Sequence, residues 1–215
     1  HLEALKKLVD RYQPTLLSEH LSWSRLGTTV SNDLLPIPYT PESMNIFVNN
    51  IDQAQNYLGR QILIENPSSY LEFDDSVYNE ADFLVEVTRR SGAGILLDVN
   101  NVFVSACNHG FDPQQYILTM PSSAVHEIHL AGHSIQNFGN NTIRIDDHGS
   151  KVSQEVWDLY RFSLSVLGNK PTLIEWDSNI PTWTDLFKQD KLADTILSDN
   201  EPQLLQEIHR QGSFF

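Results

Sequence analysis

Cysteine is almost absent: Cys107 is the only one in 215 residues. A single thiol excludes an internal disulfide and any zinc site built from several thiolates, and it fits a reducing compartment such as the cytoplasm. Basic residues are scarce too, with 14 Lys and Arg against 28 Asp and Glu, a formal charge of −14. Phosphate backbones are bound by clustered Lys and Arg, so no nucleic-acid partner is expected. No apolar run approaches the ~20 residues of a membrane span, and no membrane partner is expected. The first residues lack the basic, apolar and cleavage segments of a signal peptide. No glycine-rich phosphate loop follows any apolar stretch, which weighs against a nucleotide site. The acidic excess itself reads most simply as a solvated surface; the alternative is that some carboxylates sit inside and bind cations.

What is present is a series of short apolar runs. "TLLSEHLSW" (15–23), "RQILIENPSSY" (60–70), "GAGILLDVNN" (92–101), "AVHEIHLAGH" (124–133) and "KPTLIEWD" (170–177) are rich in Leu, Ile or Val and end in polar residues. They suit strands buried on both faces of a parallel sheet. Helical spacing lies between them at 40–59, 79–92 and 153–168, with Asn79 and Ser153 as N-caps and Gly59, Gly92 and Gly168 as stops. The opening residues read as an amphipathic helix followed by a strand. Alternation of strand and helix predicts an α/β protein, one domain over 1–215, with a doubly wound sheet or a (β/α) barrel both open at this point.

Alternate side chains of a strand share a face. In "VHEIHLAGHS" this puts His129 with Glu127 and Ala131, opposite Ile128 and Leu130, while His133 falls in the loop beyond. His126 goes with the aliphatic face, where a structural or solvent-facing role is expected. The same grammar recurs in the other runs: His20 in "LLSEHLSW", Glu65 in "ILIEN", Asp98 and Asn100 in "ILLDVNN", Glu175 and Asp177 in "TLIEWD". Isolated buried carboxylates are costly unless something positive compensates. No Lys or Arg stands at these strand ends, so a metal is the economical compensation. "RIDDHGS" adds Asp146 and His148, two apart in a loop. Imidazole and carboxylate donors without thiolate suit iron, manganese or zinc, and six or seven candidates are enough for more than one ion. In (β/α) barrels, strand ends and the loops after them supply the catalytic groups.

Taken in order, "SEHLSW", "LLPIPYT", "ENPSSYLEF", "LLDVNNVFVSACNHGFDP", "EIHLAGH", "IDDHG" and "TLIEWDSNIP" resemble the multinuclear non-heme iron-dependent oxidases, from about His20 to Pro181. The resemblance implies a xylose-isomerase-like TIM (β/α)8 barrel in a bacterial cytoplasm, with two or three irons and O2 as cosubstrate. It also implies a Cys-containing, ribosomally made precursor peptide as substrate, and a separate partner protein that recognises that peptide. Carried over motif by motif, His20, Glu65, Asp98, Asn100, His129, Asp146, His148 and Glu175 are the implied metal ligands. Glu65, His129, Asp146 and His148 are the implied catalytic residues, with Glu65 bridging two ions. His133, Asn66 and Asn101 are assigned to the shell that holds the ligands or touches the substrate. Family members carry about three more strands at the N-terminus, so an N-terminally truncated barrel with five of eight strands is expected. Cys107 is expected to pack as a small apolar residue rather than react. Rival readings are a divalent-metal sugar isomerase or phosphoester hydrolase on the same barrel, and a non-catalytic barrel remnant that binds a partner.

Overall fold

The computed structural model describes the backbone of residues 1–139 and 141–211, and their side chains except at 32, 33 and 201–211. The chain opens with α1 (Leu2–Tyr12) and β1 (Ser18–His20), then a hairpin of β2 (Trp23–Leu26) and β3 (Thr29–Leu35). Next come α2 (Pro41–Leu58), β4 (Leu63–Glu65), α3 (Glu80–Ser91), β5 (Gly94–Asp98), α4 (Val99–His109), α5 (Pro113–Thr119) and β6 (Val125–Ala131). A second hairpin, β7 (Ser134–Phe138) and β8 (Asn141–Ile145), precedes α6 (Gln154–Leu167), β9 (Thr172–Glu175) and α7 (Trp183–Gln211).

Five strands form one parallel sheet in the order β1-β4-β5-β6-β9. Sheet order follows chain order with no reversal. A doubly wound sheet needs a switch point where the order turns back, so the winding is that of a barrel. The five expected strands are all present, and β1 and β9 are its two edges. Ile64, Ile95, Leu97, Val125, Ile128 and Leu130 face the helices in a single core with Met44, Phe83, Leu84, Val156, Tyr160 and Leu164. The other face carries Leu63 and Leu96 and, one or two residues further along each strand, the polar strand ends.

The helix stops and caps act as the sequence predicts. The Thr40 and Ser43 side chains form a reciprocal capping box on α2, and Asn79 and Ser153 accept from backbone N–H groups of α3 and α6. Three expectations fail. The strand expected through residue 101 ends at Asp98, because the Asp98 side chain accepts from Asn101 N and starts α4 at once. His126 does not join the aliphatic face. The β5–β6 register shifts between Ile95 and Leu96, and this bulge turns the His126 ring under Gly94, where a Cβ would lie 2.6 Å from it. Cys107 is exposed rather than packed, on the outer side of α4.

Candidate metal centre

Each strand of the sheet carries a donor at or within two residues of its C-terminal end. In parallel register His20 pairs with Glu65, Glu65 with Leu96, Asp98 with His129, and Ala131 with Glu175. Partners in register face the same way, so the alternation read from the sequence becomes a single polar surface at the C-terminal end of the sheet. Donor atoms of Glu65, Asp98, His129 and Glu175 all lie within 4.8 Å of one another. His20 Nε2 is 3.3 Å from Glu65 Oε2 and extends this group to the β1 edge. His129 Nδ1 is 3.1 Å from Glu175 Oε2 and 3.8 Å from Glu65 Oε1, while its Nε2 faces Glu127 at 3.7 Å. Nδ1 is thus the ring nitrogen turned to the cluster.

A second group forms across the loops. His148, Glu175 and Asp177 bring donor atoms within 4.8 Å of one another, so Glu175 belongs to both groups. His148 Nδ1 is 3.1 Å from Asp177 Oδ2, and its Nε2 is 2.8 Å from Asp146 Oδ1. Asp146 and His148 converge, as the contact of Asp146 Oδ1 with His148 Nε2 shows, although the loop that carries them is not extended. Residues 146–149 are irregular, and His148 takes a left-handed conformation with φ 45°. The backbone N–H groups of Asp177 and Ser178 donate to His148 O, and Ser178 Oγ donates to Asp147 O, which ties this loop to the one after β9.

The asparagines are tied to the cluster by hydrogen bonds. The Asn66 amide makes a reciprocal pair with the backbone of Asp98, both bonds 2.9 Å, and Asn101 Nδ2 donates to Asn66 O. Asn100 lies in the first turn of α4 and not on a strand. Its Nδ2 donates to Asp146 Oδ1 at 2.7 Å, and its Oδ1 meets His133 Nδ1 at 2.8 Å. The other oxygen of Asp146 accepts from Ser68, and Asp146 N donates to the Tyr70 hydroxyl. Asp177, Ser68, Tyr70 and Glu127 were not among the expected site residues. The visible signals were the i, i+2 spacing of Glu175 and Asp177 and of Glu127 and His129.

Two features fit the site to a cation. Asp98 is fully buried, and its Oδ2 has no hydrogen-bond partner. Buried His148 Nε2 makes no hydrogen bond of acceptable geometry either, although Asp146 Oδ1 is 2.8 Å away. A buried carboxylate oxygen left without a donor among other carboxylates is an arrangement a metal ion resolves. Without one the charges must be redistributed. Burial, then the charges of Asp146 and Glu65, hold the Asp98 carboxyl well above the usual range. Burial also raises Glu65, against His20 and His129. At His129 burial opposes protonation, but Glu127 and Glu175 outweigh it and push the ring up to about 10. At His148 burial is likewise outweighed, chiefly by Asp146, again up to about 10. Glu175 is lowered, mainly by its hydrogen bond with His129. His133 goes the other way, lowered by burial and by Arg144.

Comparison with known families places residues 1–198 in the RiPP precursor modification enzymes MbnB/TglH/ChrH, RiPPs being ribosomally made peptides that are then modified. The chain belongs to this family. Relatives of the chain include a UPF0276 protein of Psychromonas ingrahamii, 47% identical over 197 residues that are 91% of this chain and 69% of the relative. UPF0276 protein VV1_0952 of Vibrio vulnificus is 50% identical over 92% of this chain and 68% of its own length. Among solved structures, the IOLI protein with a binding zinc atom superposes with a TM-score of 0.58 at 11% identity, covering 93% of this chain and 68% of that one. A xylose isomerase-like TIM barrel protein from Mycobacterium smegmatis, in complex with magnesium, gives 0.55 at 9% identity over 92% of this chain and 66% of that one. The chain therefore has the fold of the xylose-isomerase-like TIM barrels and spans about two thirds of the length of these proteins. No described helix is long and apolar enough to cross a membrane.

Proposed function

We propose that this chain oxidises a cysteine of a ribosomally made precursor peptide, with O2 as cosubstrate, at a site of two or three iron ions. The observation that carries the reading is the place of Glu175 in two ligand groups at once, as a carboxylate shared by adjacent ions would be. His20, Glu65, Asp98, His129, Asp146, His148 and Glu175 are the ligands in this reading, with Asp177 added and Glu65 as a second bridge. Asn100 and His133 orient Asp146; Asn66 and Asn101 hold the Asp98 backbone. These residues would hold ferrous iron, which would supply a site for a thiolate and electrons for the reduction of O2. The protein's part is to fix the donors from behind, as Glu127 does for His129 and Ser68 for Asp146. The precursor peptide reaches the site from the C-terminal end of the sheet, presented by a separate recognition protein, in the bacterial cytoplasm.

The test is anaerobic purification, elemental analysis, and mass spectrometry of Cys-containing peptides after exposure to O2. Two or three irons per chain and an O2-dependent mass change on cysteine are expected. Fewer than one iron per chain, not restored by added Fe(II), would sink the proposal. Retention of zinc or magnesium alone would turn the reading toward a divalent-metal isomerase or hydrolase.

A further inference from the structure

Arg144 brings a positive charge to a mouth otherwise built of carboxylates, histidines and amides. It stands on β8, part-buried, with its guanidinium 5.2 Å over the Phe103 ring. One Nη lies 3.4 Å from His133 Nε2. Hydrogen-bond logic fixes the rest of the chain of contacts. Asp146 Oδ1 accepts from the Asn100 amide nitrogen, so the amide oxygen is the atom that meets His133 Nδ1, and Nδ1 must carry the proton. A neutral His133 then offers a lone pair at Nε2, toward which Arg144 points an N–H. Stacking on Phe103 and this one contact hold the guanidinium in place, and its remaining N–H groups make no ion pair with any described residue within 4.0 Å. Glu155, at the start of α6, feels its charge without pairing.

A planar guanidinium held this way is a fork for a carboxylate, which it takes in two parallel hydrogen bonds. Only Asn100 and His133 separate it from Asp146, a distance that a few residues of extended peptide cover at about 3.3 Å each. We infer that Arg144 binds a carboxylate of the substrate peptide, at its chain end or on an acidic side chain, within about three residues of the reacting cysteine. The inference rests on the proposed action on a peptide thiol. It also accounts for how a peptide bearing negative charge approaches a chain of charge −14: the attraction is local to the mouth and the repulsion is spread over the surface.

The experiment compares three peptides by calorimetry on the Fe(II)-loaded chain without oxygen: acetyl-Cys-Gly-Gly-amide, the same peptide with a free C-terminal carboxylate, and acetyl-Cys-Gly-Asp-amide. At least one carboxylate peptide binds about tenfold tighter than the neutral amide, and which one does so identifies the source of the carboxylate. Arg144→Gln abolishes that preference while the iron count stays at the wild-type value. Should Arg144→Gln lose iron or fold poorly, Arg144→Lys decides, since it keeps the charge and loses the fork: a weakened preference supports the inference, an undiminished one overturns it. Equal affinity of all three peptides for the wild-type chain overturns the inference and leaves the proposed function standing. No binding of even the neutral thiol peptide by an iron-loaded chain overturns both.

Discussion

Asp98 divides its two oxygens between architecture and chemistry. Oδ1 caps α4 through Asn101 N at 2.7 Å, and Oδ2 is the unpartnered atom facing the cluster. The substitution Asp98→Asn separates these roles, because asparagine caps a helix about as well as aspartate. It should leave the melting temperature of the metal-free chain near the wild-type value and lower metal affinity by about tenfold or more. Asp98→Ala loses both, with about 1 kcal/mol from the cap alone. Titration calorimetry and thermal denaturation of the three proteins check this. Glu65→Gln should likewise lose more metal than His126→Gln, since Glu65 stands among the donors and His126 lies under Gly94, away from them; equal metal content in the two would contradict the assignment. Glu80 has a different consequence. Its carboxyl accepts from the Tyr39 and Tyr116 hydroxyls at 2.7 and 2.8 Å, and burial pushes it up to about 7 against those bonds. The folded state therefore holds this proton more tightly than the unfolded chain, whose value is 4.5. The stabilisation is complete below 4.5, shrinks as pH rises, and is gone above about 7, by at most roughly 1.4 kcal/mol per pH unit. Urea denaturation of wild type and Glu80→Gln between pH 4.5 and 8 should differ by this slope; parallel curves would show that Glu80 does not titrate there.

At the scale of elements, what was legible followed from period. Two-residue alternation placed His20, Glu65, Asp98, His129 and Glu175 on one face, because each belongs to a strand or its last residue. Alternation failed where the backbone left the strand. Asn100 is on a helix, His126 sits at a bulge, and His148 reaches Asp146 through a left-handed residue, none of which leaves a mark in apolar spacing. The two hairpins escaped notice for a related reason: β2–β3 and β7–β8 are mostly exposed and carry no alternating apolar face. They matter nonetheless, since β8 delivers Asp146 and Arg144. The return from this hairpin runs close under Gly132, where an added Cβ would stand 2.1 Å from Ser150 O. A backbone atom cannot step aside as a side-chain tip can. Gly132→Ala should cost about 1–3 kcal/mol and, by displacing the 146–150 segment, reduce metal content. Retained stability with full metal content would show that the two loops are not packed as described.

Among the described residues the five parallel strands form a sheet with edges at β1 and β9 and helices packed on one face. The five parallel strands were legible in the order of the apolar runs, whereas those runs left a doubly wound sheet and a barrel both open, and only the family resemblance pointed to the barrel. The partners of the edges were not legible, because edges are settled by whatever pairs with β1 and β9. Leu173 on β9 is 48% exposed on the face away from the helices, and Ile180 and Trp183 beyond it are 69% and 75% exposed, with Phe187 nearby. A strand with one edge unpaired among the described residues, beside exposed apolar side chains, invites association, and the charge of −14 opposes it. Sedimentation velocity should therefore show self-association that grows with salt as the repulsion is screened, and Trp183→Lys should reduce it; a salt-independent monomer would mean the edge is not adhesive.

The spread of the donors along the chain bears on when metal can arrive. His20 ends the first sheet strand and Glu175 the last, and the donors between them come from separate units. A chain emerging from the ribosome at about 5–20 residues per second holds only fragments of the set until β9 has been made and docked. Early fragments offer a histidine or a carboxylate apiece, too few to hold an ion firmly. Glu175, which joins the two donor groups, comes with Asp177 from the last of these segments, so in the proposed reading metal loading awaits the docking of β9 and ion selection is made by the assembled sheet rather than by the nascent chain.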